Sequence, residues 1–208
     1  MKYMTKWLLF LLFVPALASA GLFSPALEEG KSYQVITPEQ PTVSGEKVEV
    51  VELFSYACPH CYHFEPTIER WLKTKPENVK FVRMPVIFRD DWAVYAKAYY
   101  AAEALGVLDK IHGPLFSAIH AQKRRLGDEA ALMAFFAEQG VSKADFKKVF
   151  NSFAVDSKVR RSKELTRRYG INSTPSMVVN GKYRVDGQMA GGLNDGLLQI
   201  VDGLVAKK

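Results

Sequence analysis

The feature that most constrains this chain is the join between the apolar run Val48-Glu49-Val50-Val51-Glu52-Leu53-Phe54 and Cys58-Pro59-His60-Cys61, which holds its only two cysteines. A short apolar run bounded by turn signals reads as a buried strand, and Pro59 suits the first position of a helix, where a missing N–H costs nothing. The pair therefore sits where a strand turns into a helix. A disulfide closing about 4 residues stabilises by only about 1.9 kcal/mol, against about 3 kcal/mol for a 15-residue loop, which argues for redox chemistry over a structural staple. Zinc fits poorly: Cys58, His60, Cys61 and His63 crowd one helix start, whereas structural sites draw ligand pairs from separate segments, so no metal is expected. Haem attachment needs a histidine at position 62, which is Tyr62.

With the helix starting after Cys58, its sulfur faces unpaired N–H groups and the positive end of the helix dipole, and both favour thiolate. His60, as imidazolium, adds positive charge. Cys61, three residues on, returns to the same helical face. Cys58 is expected to be the exposed nucleophile and Cys61 the buried resolving thiol. Glu52 lies in phase with Val48, Val50 and Phe54, where an unpaired carboxylate is costly; it reads either as a paired or wetted charge or as a proton acceptor for Cys61.

Lys2 and Lys6, the apolar stretch Trp7 to Leu17 and Ala18-Ser19-Ala20 form the three parts of a cleaved signal peptide over residues 1–20. The stretch is shorter than the roughly 20 residues of a membrane span, and no later segment is long and apolar enough, so the protein is not expected to be membrane-embedded. Export favours an oxidising compartment such as the periplasm. Without Lys2 and Lys6, 26 basic residues face 22 acidic ones, a net charge of +4. Much of the excess is Lys158, Arg160, Arg161, Lys163, Arg167 and Arg168 on one helix, without interleaved aromatics, which reads as a solvated face and not a nucleic-acid site.

Strands are expected near Tyr33 to Ile36, Val48 to Phe54 and Val79 to Val86, with a helix from Pro59 to about Lys73 bent at Pro66. Residues 89–157 read as four helices: Asp91 to Leu105, Leu108 to Gln122 interrupted at Gly113-Pro114, Asp128 to Gln139, and one starting at Ser142. The basic helix, a hairpin turning at Asn180-Gly181 and a last helix near Leu193 to Val205 complete the chain. This predicts an α/β protein with an all-helical insertion at 89–157 between α/β segments 21–88 and 158–208.

A strand leading into C-x-x-C, a proline five residues after the second cysteine, a late Thr174-Pro175 before a hairpin, and the inserted helices resemble the DsbA family of periplasmic thiol:disulfide interchange proteins, with a thioredoxin fold. Cys58-Pro59-His60-Cys61 matches that family's tetrapeptide, and Phe54-Ser55 and Tyr62-x-Phe64-Glu65 match its flanks. The resemblance implies that Cys58 attacks, Cys61 is its buried partner, His60 tunes the thiolate, Glu52 is a buried acid beneath the site, and Pro175 follows a cis bond. X-Pro bonds in folded proteins are cis in only about 5–6% of cases, so the resemblance carries that expectation. The backbone of Thr174 is then placed to pair with an extended substrate. Thr174 departs from the Val that oxidising members often carry.

The activity implied is donation of a Cys58–Cys61 disulfide to reduced, unfolded exported proteins, with reoxidation by a DsbB-type, quinone-linked membrane partner and no bound cofactor. The rivals are a disulfide isomerase or reductase of the same fold and a non-catalytic, chaperone-like binder. Nothing in the sequence requires a dimer, so a monomer is expected. His63, His112 and His120 are set aside, because a lone helical histidine is more often a surface or satisfied core residue.

Overall fold

All seven residues of strand β2 (Val48–Phe54) are buried, as an apolar run covered on both faces requires. In the computed structural model, which describes residues 27–207, β2 pairs in parallel with β3 (Val79–Pro85). On its other side it runs antiparallel to β4 (Ser176–Val179). Strand β5 (Tyr183–Asp186) follows β4, and β1 (Gln34–Val35) forms the far edge, giving the order β1-β5-β4-β2-β3. The leader expected over residues 1–20 lies outside the described residues.

Alternation splits β2 between two cores. Val48 and Val50 pack with Phe64, Ile68 and Trp71 of helix α1 (Pro59–Leu72) and with Leu197 and Val201 of the last helix. Val51 and Leu53 pack with Ile36, Met84, Tyr169 and Val178 on the opposite face. Strand β1 is shorter than expected. It is followed by a cis Thr37–Pro38 bond that the sequence reading did not anticipate.

Four α-helices follow β3, after one turn of 3₁₀ helix at Asp90–Trp92: α2 (Ala93–Ala104), α3 (Leu108–His120), α4 (Glu129–Glu138) and α5 (Lys143–Phe150). Asp128 caps α4 by accepting from the Ala131 N–H at 2.9 Å, and Ser142 caps α5 through Asp145 N–H at 3.1 Å. Such caps contribute about 1 kcal/mol each. The expected break in α3 is absent. Pro114 lies inside the helix, and Pro114 and Lys110, whose carbonyl it leaves unpaired, are both exposed, so water can serve that carbonyl. Small Ala98, Ala101 and Ala102 of α2 pack among Phe116, Phe135, Phe136, Phe146 and Phe150. That same core reaches Phe54, Tyr56, Cys58 and Cys61, so the helices form the wall behind the strand-to-helix turn.

Helix α6 (Phe153–Arg168) begins ahead of its basic run, capped by Ser152. Its buried residues are few (Val155, Ser162 and Thr166), and the basic side chains reach solvent or surface acids, as with Lys158 and Glu103 at 2.6 Å. The β4–β5 turn forms at Asn180 and Gly181, with φ of 53° and 66°. Only glycine fits the second position: a Cβ there would lie 2.0 Å from the Gln40 carbonyl oxygen. Helix α7 (Asp195–Ala206) completes the chain on the α1 side of the sheet.

Candidate active site

Cys58 is the N-cap of α1 and Pro59 its first residue. The extended backbone of Cys58 (φ −92°, ψ 115°) leaves the sulfur at the helix end, and its own N–H is held by Ser55 O at 3.0 Å. Cys58 and Cys61 are both free thiols. Cys58 was expected to be exposed, yet it is 7% accessible, against 1% for Cys61. What covers it is the loop before β4: Cys58 Sγ lies 3.5 Å from the Thr174 carbonyl oxygen. The Thr174–Pro175 bond is cis. His60 and Pro59 are exposed.

The two thiols are driven in opposite directions. The Cys58 pKa is lowered from the ordinary 9.0 to about 5, first by the hydrogen bond from the Cys61 thiol. Partial burial opposes the shift, while the Thr174 side chain and the backbone N–H groups of Cys61 and His60 add to it. His60 thus enters through its backbone N–H, an assistance from the helix end that needs no imidazolium. Cys61 is held well above its ordinary value, first by burial and then by its bond to Cys58. One thiol is a stable thiolate and the other a stable thiol, because Cys61 donates and Cys58 accepts.

Behind Cys61 lies a chamber of buried charge. Glu52 is 1% exposed and faces Arg83, its partner in the β2–β3 register. Arg83 Nε donates to Glu52 Oε2 at 3.1 Å. Arg83 Nη2 donates to Glu65, and to Glu69 Oε1 at 2.9 Å. Glu65 also meets His112 Nε2 at 3.2 Å, and His112 Nδ1 is 2.8 Å from the Tyr56 hydroxyl. Burial lifts the Glu52 pKa from 4.5 to about 8, with the charge of Arg83 pulling against it. Burial also acts on Glu65, but the His112 contact and the charges of His112 and Arg83 outweigh it and hold that carboxyl below its usual range. Burial lowers the His112 pKa, with the Glu65 carboxylate pulling against it.

The structure gathers Cys58, Pro59, His60, Thr174 and Pro175 around one sulfur, and Glu52 stands behind Cys61, where its charge raises that thiol further. A groove of about 550 Å³ runs beside them, lined by His60, Thr174, Pro175, Gln188, Met189 and Leu193. Sequence reasoning missed Arg83, Tyr56 and the roles of Glu65 and His112. Arg83 carried a signal, a lone arginine in phase with Val79 and Phe81 in an apolar run. His112, set aside by the sequence reading, is buried, with Nδ1 bonded to the Tyr56 hydroxyl and Nε2 3.2 Å from Glu65 Oε1 but outside hydrogen-bond geometry. His120 Nε2 is bonded to the Tyr56 carbonyl oxygen at 2.8 Å.

Among protein families, residues 49–195 match the DSBA-like thioredoxin domain. The chain is 42% identical over 199 residues to the thiol:disulfide interchange protein DsbA of Pseudomonas syringae pv. tomato, covering 93% of this chain and 92% of that protein. Identity to the protein of the same name from Burkholderia cepacia is also 42%, over 98% of this chain and 95% of the relative. In three dimensions it is similar to the crystal structure of Pseudomonas aeruginosa DsbA, with a TM-score of 0.81 and 40% identity over 86% of this chain and 92% of that one. The oxidoreductase DsbA from Xylella fastidiosa gives a TM-score of 0.80 at 32% identity over 88% and 97% of the two chains. A thioredoxin-like sheet with inserted helices, a Cys58–Cys61 pair at a helix start and these likenesses lead to one assignment: the chain belongs to the DsbA family of thiol:disulfide interchange proteins, which are protein disulfide oxidoreductases.

Proposed function

We propose that this protein is an exported dithiol oxidase that donates the Cys58–Cys61 disulfide to reduced, unfolded proteins in the periplasm. The opposed environments of the two thiols carry this reading. A substrate thiolate attacks Cys58 Sγ, the Cys58–Cys61 bond breaks, and Cys61 leaves with the bonding pair and takes up a proton. A second substrate thiolate then attacks the substrate sulfur of the mixed disulfide and expels Cys58 as thiolate. The substrate gains a disulfide and the enzyme gains two electrons. A low thiol pKa makes Cys58 a fast leaving group, and the stable Cys58 thiolate draws the equilibrium towards reduced enzyme.

In this reading Glu52 is the proton acceptor when Cys61 must lose its proton again, matched to the task by a pKa near the working pH. The Thr174–Pro175 loop and its groove receive an extended substrate segment by backbone pairing. The Thr174 carbonyl accepts from a thiol but cannot help a thiolate, whereas its hydroxyl can turn and donate to one. Residues 1–20 act as the cleaved leader, 89–157 as the inserted helical domain, and 21–88 with 158–208 as the thioredoxin-like domain of a monomer. Reoxidation falls to a DsbB-type, quinone-linked membrane partner that accepts the two electrons.

Equilibrating the purified protein with glutathione redox buffers tests the direction of the reaction. The expected result is a reduced protein over most of the buffer range. A potential as reducing as that of thioredoxin would overturn the oxidase reading and favour a reductase. Cys58→Ser should abolish disulfide formation in reduced substrates, and activity retained by that variant would leave only a binding role.

A further inference from the structure

The peptide between Tyr56 and Ala57 is the middle of the turn that delivers Cys58 to the start of α1. The Cys58 N–H closes that turn on the Ser55 carbonyl at 3.0 Å, and the Ala57 N–H is held by Ser55 Oγ at 3.1 Å. Neither bond reaches the Tyr56 carbonyl, the group whose orientation separates one β-turn type from another. Ala57 has no positive φ, which excludes a type II turn. The remaining freedom of the middle peptide decides how the start of α1, with both sulfurs, sits against Ser55.

That freedom is taken up from α3. His112, Phe116 and His120, spaced four apart, form one face of that helix and close on Tyr56 along its length. The Tyr56 hydroxyl is bonded to His112 Nδ1 at 2.8 Å, and the Phe116 ring meets the phenol edge-on with centroids 4.8 Å apart. His120 Nε2 lies 2.8 Å from the Tyr56 carbonyl oxygen. A carbonyl only accepts, so Nε2 carries the hydrogen whether the ring is neutral or protonated. The same imidazole stacks on Tyr62, with centroids 5.3 Å apart and planes 20° from parallel. Tyr62 follows Cys61 in the chain and donates its N–H to the Cys58 carbonyl at 3.3 Å. One side chain from α3 thus touches the backbone just before Cys58 and the ring just after Cys61.

We propose that His120 is a positioning residue for the redox pair: it brackets the Cys58–Cys61 turn, holding the Tyr56 carbonyl on one side and the Tyr62 ring on the other, so that the Cys61 thiol stays aimed at Cys58. It touches neither sulfur and acts through the backbone of the turn. A hydrogen bond weakens steeply as its angle opens, so a turn left free to rock deprives the Cys58 sulfur of its donor for part of the time. Cys58 is then less stable as thiolate, a slower leaving group and a weaker oxidant. This inference rests on the proposed role of Cys58 as the leaving group, but the state of the thiolate can be read without any substrate.

The test is the ultraviolet titration of the Cys58 thiolate in the reduced protein, paired with the equilibrium constant against glutathione. His120→Ala removes both contacts, His120→Phe keeps a ring for Tyr62 without a donor, and His120→Gln keeps an N–H donor at a similar reach. In His120→Ala and His120→Phe the Cys58 midpoint should rise by about half a pH unit, threefold in ionisation constant, as expected when a lost hydrogen bond acts only through the backbone. The glutathione equilibrium should move towards oxidised protein by the same factor, and His120→Gln should restore most of both. Phe146→Leu, in the packing between α4 and α5, should lower the urea midpoint and leave the thiolate where it was, as a merely structural change would. His120→Phe and His120→Gln both keep the bulk of the side chain, so their comparison stands should His120→Ala not fold. A Cys58 midpoint unmoved by His120→Phe, moved as far by His120→Gln, or moved as far by Phe146→Leu would overturn the proposal. A protein as reducing as thioredoxin whose midpoints follow the expected order would fail the oxidase reading and leave this one standing.

Discussion

The two ends of the active-site turn differ more than their spacing suggests. Cys58 stands where a helix begins, beside a groove, with N–H groups and a thiol directed at its sulfur. Cys61, one helical turn on, faces the buried acids, and burial, its bond to Cys58 and the charge of Glu52 hold its proton in place against one backbone contact at Ser55. The chain makes a strong leaving group and a poor one from the same side chain, by giving the first donors and taking water from the second. An oxidant needs that asymmetry, because the reduced pair is stable only while one sulfur is comfortable as thiolate.

The comparison is broken outright by removing either sulfur. Cys58→Ser should lower disulfide transfer to the uncatalysed level. Cys61→Ser should still be attacked at Cys58 when loaded as a mixed disulfide, but should not clear it by internal attack. Gel-shift trapping of the adduct distinguishes the two, and rapid self-clearance by Cys61→Ser would contradict the assigned roles.

Next in size is the chamber side. Arg83→Met leaves Glu52 and Glu65 buried with no cation, which should cost about 3–5 kcal/mol of stability, read from urea unfolding at neutral pH. Protonating the acids relieves this, so the loss should shrink as pH is lowered towards 4. A loss below about 1 kcal/mol would mean the chamber is wetter than its burial indicates.

The pH dependence separates the two regions. The folded pKa of Cys58 lies below its ordinary value, so its contribution to stability is full above pH 9.0 and is lost as pH falls through about 5. The Glu52 value is raised, so its contribution is full below pH 4.5 and is lost as pH rises through about 8. In the reduced protein the two oppose each other between about pH 5 and 8. The oxidised protein has no Cys58 proton to lose and keeps only the Glu52 trend. The stability of the reduced form relative to the oxidised form should therefore increase from pH 5 to 8, as measured by paired denaturation curves. Glu52→Gln should flatten the oxidised curve and leave the difference between the forms.

How much of this was legible in the sequence follows the range of the interaction. Pro59 after Cys58, the Asn180-Gly181 turn and the late Thr174-Pro175 are local signals, and each sits where its own backbone preference puts it. Glu52 was legible because strand alternation alone buries it. Its partners were not: Arg83 is 31 residues away and meets it only through parallel register, and His112 reaches Tyr56 across 56 residues. A histidine on a helix carries no mark of what faces it until the helix is packed. The cover over Cys58 was hidden for the same reason, since Thr174 arrives from 116 residues away.

The smallest effect sharpens the wet side alone. Thr174→Val removes the hydroxyl that favours the Cys58 thiolate and keeps the carbonyl contact, so the Cys58 midpoint should rise by about half a pH unit to one unit. Cys61 and the chamber acids should not respond.

The most direct test of the central claim is the ultraviolet thiolate absorbance of the reduced protein titrated from acid to alkaline pH, with Cys61→Ala as the reference. A single thiolate titrating near pH 5 is the predicted result, with the second thiol silent until well above pH 9.0 and the first midpoint moving up when Cys61 is removed. Two thiols titrating together near pH 9.0 would contradict the account.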